Sequence, residues 1–235
     1  MSQAISLEPA YLLSLRPYRD SSQLLEVFGV TQGRIGLVAR GARGPKSRLR
    51  GVLQPFAPLL LSWTQRGDLG SLTGAEAQSA PVALSGERIF FGWYLNELLL
   101  RLLQRHDPHP ALYAIYATLL PELAGSETQA QSALRVFEKR LLEELGYGLM
   151  LPDAIEADRL YRYDPDYGPL PAEKGIPGAS LIALRDERLE GDIARQDARR
   201  LLRDALRRQL GDRELQTATL LRNMRAQSKA TRSNQ

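Results

Sequence analysis

The segment that decides the fold is residues 23–40, which have the sequence QLLEVFGVTQGRIGLVAR. Two runs rich in aliphatic residues flank the tripeptide Thr31-Gln32-Gly33, and Gly33 supplies the positive φ that a tight hairpin turn requires. The sequence therefore predicts two antiparallel strands, residues 23–30 and 34–40, that pair directly with each other.

Three further strand-like runs lie on either side of this hairpin. They are residues 11–15, 59–64 and 69–75, each bounded by Pro, Gly, Asp or Ser. Five short strands within about 70 residues favour a small closed barrel of the OB type. Pro55 and Pro58 exclude the stretch between them from a central strand, because proline cannot donate to the ladder.

After residue 80 the apolar period becomes helical. Apolar side chains recur every three or four positions from Ile89 to Leu103, and a second helix is expected over residues 110–125, with Pro121 bending or ending it. A third helix, residues 131–145, has one apolar stripe and a glycine suited to its C-terminal cap. The apolar stripe consists of Leu134, Phe137, Leu141, Leu142 and Leu145, and the capping glycine is Gly146. Further helices are expected near residues 197–210 and 214–225.

These patterns predict an α+β protein with an OB-fold barrel over residues 1–80 and an α-helical domain over residues 81–235. Residues 147–185 are rich in Gly, Pro, Asp and Tyr, so we expect an irregular insert there. The polar residues from about 227 onward are expected to form a disordered tail.

Charge is distributed unevenly along the chain, although the formal net charge is only +4. No carboxylate occurs between Glu26 and Asp68, whereas seven basic residues fall in that window. A surface of one sign suits a polyanion such as nucleic acid. The strongest candidate site is the glycine-rich basic segment of residues 40–51, for which the alternative is a solubilising loop. Arginine and lysine side chains on such a loop suit a phosphate backbone.

Two sets of cations are candidate nucleic-acid contacts. Those of the predicted barrel are Arg16, Arg19, Arg34, Arg40, Arg43, Lys46, Arg48 and Arg50. Those of the predicted helix at residues 197–210 are Arg199, Arg203 and Arg207, for which a solvated charged face explains the pattern equally well. Among the aromatic side chains, we expect Tyr18 and Phe56 to be exposed beside the barrel cations.

Other chemistries are disfavoured. A phosphate-binding loop needs a glycine before its lysine, but Pro45, which has no N–H, precedes Lys46. The only histidines, His106 and His109, flank a proline in a predicted loop and are not set by helical geometry to bind a metal. The chain has no cysteine, which excludes disulfides and thiolate chemistry. We therefore expect no cofactor, no metal and no enzymatic activity.

Several stretches resemble the RecO family of bacterial recombination mediators. Residues 16–22 (RPYRDSS), 33–43 (GRIGLVARGAR) and 53–56 (LQPF) resemble the family's amino-terminal OB domain. Residues 94–98 (YLNEL) and 134–147 (LRVFEKRLLEELGY) resemble its helical domain. Many members of the family hold zinc with four cysteines, so this cysteine-free chain is similar to the zinc-free branch.

The resemblance implies a DNA repair protein that binds single- and double-stranded DNA and anneals complementary strands. It also implies two protein partners, RecR and the acidic tail of single-stranded DNA-binding protein (SSB). Together these proteins would load RecA onto DNA. The resemblance also implies that Arg135, with Leu134 and Phe137, binds the SSB tail at the rim of an apolar groove. From periodicity alone, Arg135 is a solvated arginine beside a core helix.

No apolar stretch of the sequence is long enough to span a bilayer, and we expect no signal peptide. We expect a cytoplasmic, nucleoid-associated monomer with no membrane partner. Two alternatives stay open, an RNA-binding OB-fold factor and a nucleic-acid-modifying enzyme whose catalytic residues are not recognisable.

Overall fold

Five strands close into a barrel in the order β1-β2-β3-β5-β4 in the computed structural model, which describes residues 3–211, 214–217 and 219–220. The strands are β1 (Gln3–Tyr18), β2 (Ser22–Gly29), β3 (Gly33–Ala39), β4 (Pro58–Arg66) and β5 (Leu69–Ala77). All neighbours are antiparallel except β3 and β5, which pair in parallel and close the barrel. This confirms the predicted fold class, an OB-type barrel followed by helices.

The predicted hairpin is present. β2 pairs with β3 from Gln23↔Ala39 to Gly29↔Gly33, and Gly33 has a φ of 66°. β1 is longer than its apolar run indicates, and its register shifts between Ile5 and Glu8 against β4 and between Leu12 and Ser14 against β2. These irregularities bend the strand so that it pairs with both β2 and β4.

Alternate residues of each strand fill the barrel, and the short helix α1 (Leu49–Val52) between β3 and β4 packs Leu49 and Val52 against this core. Trp63 is the largest of the fully buried side chains, and its indole donates to Gln65 Oε1 at 3.0 Å. The alternation follows from the two-residue period of a strand.

Helices α2 (Arg88–Leu102) and α3 (Pro110–Leu119) belong to the same compact unit as the barrel, which comprises residues up to 120 and those from 215. The buried Asn96 of α2 donates to the Leu13 carbonyl at 3.0 Å and accepts from the Tyr116 hydroxyl at 2.7 Å. Tyr116 in turn lies 4.9 Å from the ring of Tyr11. The change of sequence pattern near residue 80 thus marks the end of the barrel, whereas the compact unit continues to residue 120.

The prediction that Phe56 is exposed is wrong. The side chain is buried and its ring meets that of Trp93 edge-on at 5.2 Å. Gly92 leaves the space for it, since a Cβ there would lie 2.7 Å from the Phe56 ring. Prolines kept this stretch out of the ladder, as expected, but its ring packs inward.

The second compact unit is Pro121–Glu214. After a 3-10 turn (Pro121–Ala124), α4 (Glu127–Glu144) begins with a capping box between Ser126 and Gln129. Gly146 has a φ of 80°, which confirms the predicted left-handed position after this helix.

The insert is more regular than predicted. Residues 147–159 are irregular, but β6 (Leu160–Asp164), β7 (Gly168–Pro171) and β8 (Ile176–Pro177) form a sheet in the order β7-β6-β8, followed by α5 (Gly178–Arg185). Two tyrosine hydroxyls organise the irregular part. Tyr161 accepts the Glu156 N–H and Tyr163 accepts the Met150 N–H, both at 2.9 Å.

Helix α6 (Asp192–Leu210) begins five residues before the predicted start. The buried Arg195 in its first turn donates to the Leu189 carbonyl at 2.8 Å. Of the helix predicted at residues 214–225, the described positions 216–217 and 219–220 are helical, and the predicted disordered tail lies outside the described residues. Within the described part of the chain, no helix is both long enough and apolar enough to cross a membrane.

Candidate nucleic-acid interface

An open cleft of about 490 Å³ lies on the outer face of the barrel. Its lining contains no carboxylate and consists of Tyr18, Arg19, Ser21, Ser22, Val38, Arg40, Gly41 and Ser71. The turn after β1 forms one wall, and the end of β3 with the following loop forms the other. The cleft is therefore polar, cationic and on the β2–β3 side, where OB folds bind oligonucleotides.

Strand register brings a further predicted cation into line with this cleft. Arg16 of β1 pairs with Leu24 of β2, Leu24 with Val38 of β3, and Val38 with Ser71 of β5. The core is filled by the alternate positions, such as Leu25 and Leu37, so this row lies on the outer face. Arg16 is exposed, and it extends the basic surface beyond the lining of the cleft.

The turn after β1 presents an aromatic ring beside a cation. The guanidinium of Arg19 lies 5.2 Å from the centroid of the Tyr18 ring, within range of a cation–π interaction. Arg19 has a φ of 51°, which turns the chain sharply back toward β2. Tyr18 is half-buried, not exposed as predicted, but it lines the cleft and offers a stacking surface.

The basic loop after β3 is folded into successive turns and is anchored to the turn after β1. The Gly44 N–H donates to the Gly41 carbonyl at 3.1 Å, and the Ser47 N–H donates to the Gly44 carbonyl at 3.0 Å. Arg43 makes the anchor, because its N–H donates to the Ser21 carbonyl at 2.9 Å and its Nη1 to the Arg19 carbonyl at 3.2 Å. The two loops thereby hold their cations around one cleft.

Most predicted barrel cations are exposed on this surface. The exposed ones are Arg16, Arg19, Arg40, Arg43, Lys46, Arg48 and Arg50. Arg48 precedes α1 and Arg50 lies within it, so these two are farther along the loop than the cleft residues. Their placement agrees with a basic surface that continues from the cleft along residues 40–50.

Arg34 does not belong to this surface, and its prediction as a nucleic-acid contact is corrected. Its Nη1 donates to the Leu100 carbonyl at 2.7 Å and lies 4.0 Å from Glu26 Oε2. Burial lowers the pKa of Arg34, against the opposing effect of Glu26. Glu26 is also paired with Arg105, which approaches closely over Gly36. Arg34 is therefore a structural side chain that links β3 to α2.

The proposed SSB-tail residues of α4 are also not exposed. Leu134 and Phe137 are buried, and the Arg135 side chain is 10% exposed. Arg135 Nη2 donates to the buried Glu138 Oε1 at 2.6 Å. Arg135 is therefore neither a cation at the rim of an open groove nor a solvated surface arginine, and its binding of the SSB tail stays a prediction.

The arginines of α6 lie in the second compact unit. Arg199, Arg203 and Arg207 are exposed on the face opposite the buried Leu202 and Leu206. The described residues contain no cluster of three or more His, Asp or Glu side chains placed to hold a metal ion. His109 and Asp107 form a local pair, with His109 Nε2 3.4 Å from Asp107 Oδ2.

Sequence reasoning missed the floor of the cleft, formed by Ser22, Val38 and Ser71. Strand alternation could have indicated Val38, which falls on the face opposite Leu37. Ser71 required knowledge that β5 pairs in parallel with β3, and no local signal in the sequence predicts that pairing.

Comparisons with known proteins agree with this architecture. The family model for the recombination protein O N terminal domain matches residues 1–80, and that for the recombination protein O C terminal domain matches residues 84–156. The DNA repair protein RecO of Methylococcus capsulatus is 45% identical over 93% of this chain and 94% of that protein. The DNA repair protein RecO of Nitrosococcus oceani is 44% identical over 98% of both chains. The DNA repair protein RecO of Coxiella burnetii is 42% identical over 94% of this chain and 100% of that protein. The chain belongs to the RecO family of DNA repair proteins.

Proposed function

We propose that the chain is a recombination mediator that binds single- and double-stranded DNA at the barrel cleft and acts without covalent chemistry. The observation that carries this proposal is the convergence of two cationic loops on a cleft lined by no carboxylate. Membership of the RecO family supports a role in DNA repair.

The cleft suits a DNA strand for two physical reasons. Arg19 and Arg40 line its walls, so they neutralise phosphates and release the counterions condensed on the strand. Tyr18 offers a ring on which one base stacks, and stacking tolerates any base. Neither contact reads sequence, which suits a protein that acts wherever repair is needed.

We further propose that the chain anneals complementary strands and recruits RecR and SSB, which helps to load RecA. For the SSB tail, the proposal rests on the resemblance of residues 134–147 to the family, since Arg135 already donates a charge-assisted hydrogen bond to Glu138 at 2.6 Å. The tail would have to displace Glu138 from Arg135. Because the proposed ligand is DNA, we also propose a cytoplasmic, nucleoid-associated location, and we propose that the chain acts as a monomer.

A direct test removes three cations of the cleft and its loop together. Arg19→Gln, Arg40→Gln and Lys46→Gln in one variant should weaken single-strand binding, because all three side chains are exposed and none belongs to the barrel core. The matched control changes three exposed cations of the insert, Arg159, Arg162 and Lys174, to Gln.

Fluorescence anisotropy with labelled single-stranded DNA, duplex DNA and RNA of the same sequence gives the readout. We expect the cleft variant to lose at least about tenfold in affinity for DNA, as for the loss of three phosphate contacts, and the control variant to bind normally. Equal binding by both variants would contradict the proposal. Tighter binding of RNA than of DNA would instead favour an RNA-binding factor.

A further inference from the structure

One aromatic ring lines the basic cleft of the barrel. Among the described residues of the lining, Tyr18 is the only aromatic one, and it stands beside the cations Arg19 and Arg40. The other lining residues are three serines, one glycine and one valine. The cleft therefore offers a strand two kinds of contact, positive charge for phosphates and a ring for a base.

The fold holds this ring in place. Tyr18 is the last residue of β1 and pairs with Ser22 of β2, so its backbone belongs to the barrel. Its side chain is half-buried, and the Arg19 guanidinium lies over the ring at 5.2 Å from the centroid. Arg43 anchors the turn that follows Tyr18 to the basic loop. A ring fixed in this way loses little conformational entropy when a base stacks on it.

The two kinds of contact respond differently to base pairing. Phosphates are present on single strands and on duplexes, so Arg19 and Arg40 attract both. A stacking contact needs the face of a base, and neighbouring base pairs cover those faces in a duplex. Taking a base out of a duplex costs its pairing and stacking energy, whereas a base of a single strand is reached at much lower cost. Stacking on Tyr18 therefore favours an unpaired base.

We propose that Tyr18 is the residue by which the cleft distinguishes an unpaired strand from a duplex. This inference rests on the proposed function of the cleft and assigns its preference to one side chain. A strand that pairs with its complement gives up the Tyr18 contact and keeps only its phosphate contacts. The cleft therefore holds a single strand more tightly than the duplex that annealing produces, and it releases that product.

The test compares the wild-type chain with two variants at this position. Tyr18→Leu keeps an apolar side chain but removes the ring, and Tyr18→Phe keeps the ring but removes the hydroxyl. The variant with Arg19, Arg40 and Lys46 changed to Gln is measured alongside, because it tests the proposed function separately. Thermal unfolding and far-ultraviolet circular dichroism verify that each variant is folded.

The first measurement is fluorescence anisotropy with a labelled single strand and, separately, with a labelled duplex of the same length. The ratio of single-strand affinity to duplex affinity should fall at least about fivefold in Tyr18→Leu, as for the loss of one base–aromatic stack. Tyr18→Phe should keep the wild-type ratio. The dependence of both affinities on salt should be the same in all three proteins, because no charge is removed. An unchanged ratio in Tyr18→Leu, or an equally reduced ratio in Tyr18→Phe, would overturn the inference.

The second measurement uses the wild-type protein and does not require any variant to fold. A single strand that carries 5-iododeoxyuridine is irradiated in its complex with the protein, and mass spectrometry identifies the cross-linked residue. Tyr18 should cross-link to the single strand but not to a duplex of the same sequence. Absence of a Tyr18 adduct, or equal yields from both ligands, would contradict the assignment. The triple cation variant decides on the proposed function instead, which fails if that variant binds the single strand normally.

Discussion

Thr217 donates two hydrogen bonds to the Glu97 carboxylate, one from its N–H at 2.9 Å and one from its hydroxyl at 2.6 Å, across 120 positions of sequence. The Gln216 N–H also donates to Glu97, at 2.9 Å. Glu97 therefore caps the helical segment that begins at Gln216 and ties it to α2. Burial acts against the ionised form, but the hydrogen bonds from Thr217 and Gln216 and the charge of Arg101 outweigh it and lower the pKa of Glu97.

This cap should make stability depend on pH. Because the pKa of Glu97 is lower in the folded state than its usual value of 4.5, the contribution is complete above that value and is lost as the pH falls through the folded-state pKa. Glu97→Gln should cost about 0.5–2 kcal/mol at neutral pH, as for other lost caps, and should reduce the acid dependence. Thermal unfolding from about pH 3 to about pH 7 measures both effects. The exposed Glu122→Gln is the control, and identical curves for the two variants would refute the cap.

Arg34 and Arg40 should respond to substitution in opposite ways, although both are arginines of the same basic window. Arg34→Ala removes a hydrogen bond to the Leu100 carbonyl and should destabilise the fold by about 1.5–3 kcal/mol, the range for a charged donor. Arg40→Ala should leave the unfolding temperature unchanged and weaken DNA binding. Denaturant titration and anisotropy on both variants check this, and a DNA-binding defect in a well-folded Arg34→Ala protein would restore that residue to the interface.

The sequence predicted the fold where local chemistry is sufficient. Gly33 at a turn between two apolar runs specified the central hairpin, and Gly146 marked the end of α4. Prediction failed where distant residues decide the outcome. Phe56 is buried because Gly92 leaves room for its ring, and Arg34 is half-buried because the Leu100 carbonyl and Glu26 bind it.

The candidate site was also predictable only where local sequence signals specify it. A window without carboxylates indicated the basic surface, and Arg19, Arg40 and Tyr18 do line one cleft. The anchor from Arg43 to the turn after β1 and the parallel pairing of Val38 with Ser71 are tertiary contacts, and no periodicity indicates them.

The insert should depend on the hydroxyl of Tyr161. This side chain is buried and accepts the Glu156 N–H at 2.9 Å. Tyr161→Phe leaves that N–H without its acceptor, so we expect a loss of about 1–3 kcal/mol in the free energy of unfolding. The exposed Tyr167→Phe is the matched control and should be neutral. Equal stability of both variants in urea titrations would show that the hydroxyl does not organise the insert.

Arg135 should be more available to an acidic peptide when its internal partner is weakened. Glu138→Gln keeps an acceptor but removes its charge, so binding of an SSB-tail peptide should tighten. Arg135→Ala should weaken that binding by about 1.5–3 kcal/mol and leave DNA binding intact. Both changes disturb a buried ion pair, which costs stability. Fluorescence anisotropy with labelled peptide and, separately, with labelled oligonucleotide measures both affinities. The measurements are made well below the unfolding temperature of each variant. Weaker peptide binding by Glu138→Gln would argue against displacement of Glu138 by the tail.

The central claim, that the barrel cleft binds DNA by neutralising phosphates, is tested most directly by the salt dependence of single-strand binding. If about four cations of the cleft and its loop contact phosphates, a plot of log affinity against log salt should have a slope near −3, at ~0.7 per contact. The variant that lacks the Arg19, Arg40 and Lys46 charges should have a slope near −1, because about one contact is left. A slope that is the same in the wild type and in this variant would contradict the account and place the phosphate contacts outside the cleft.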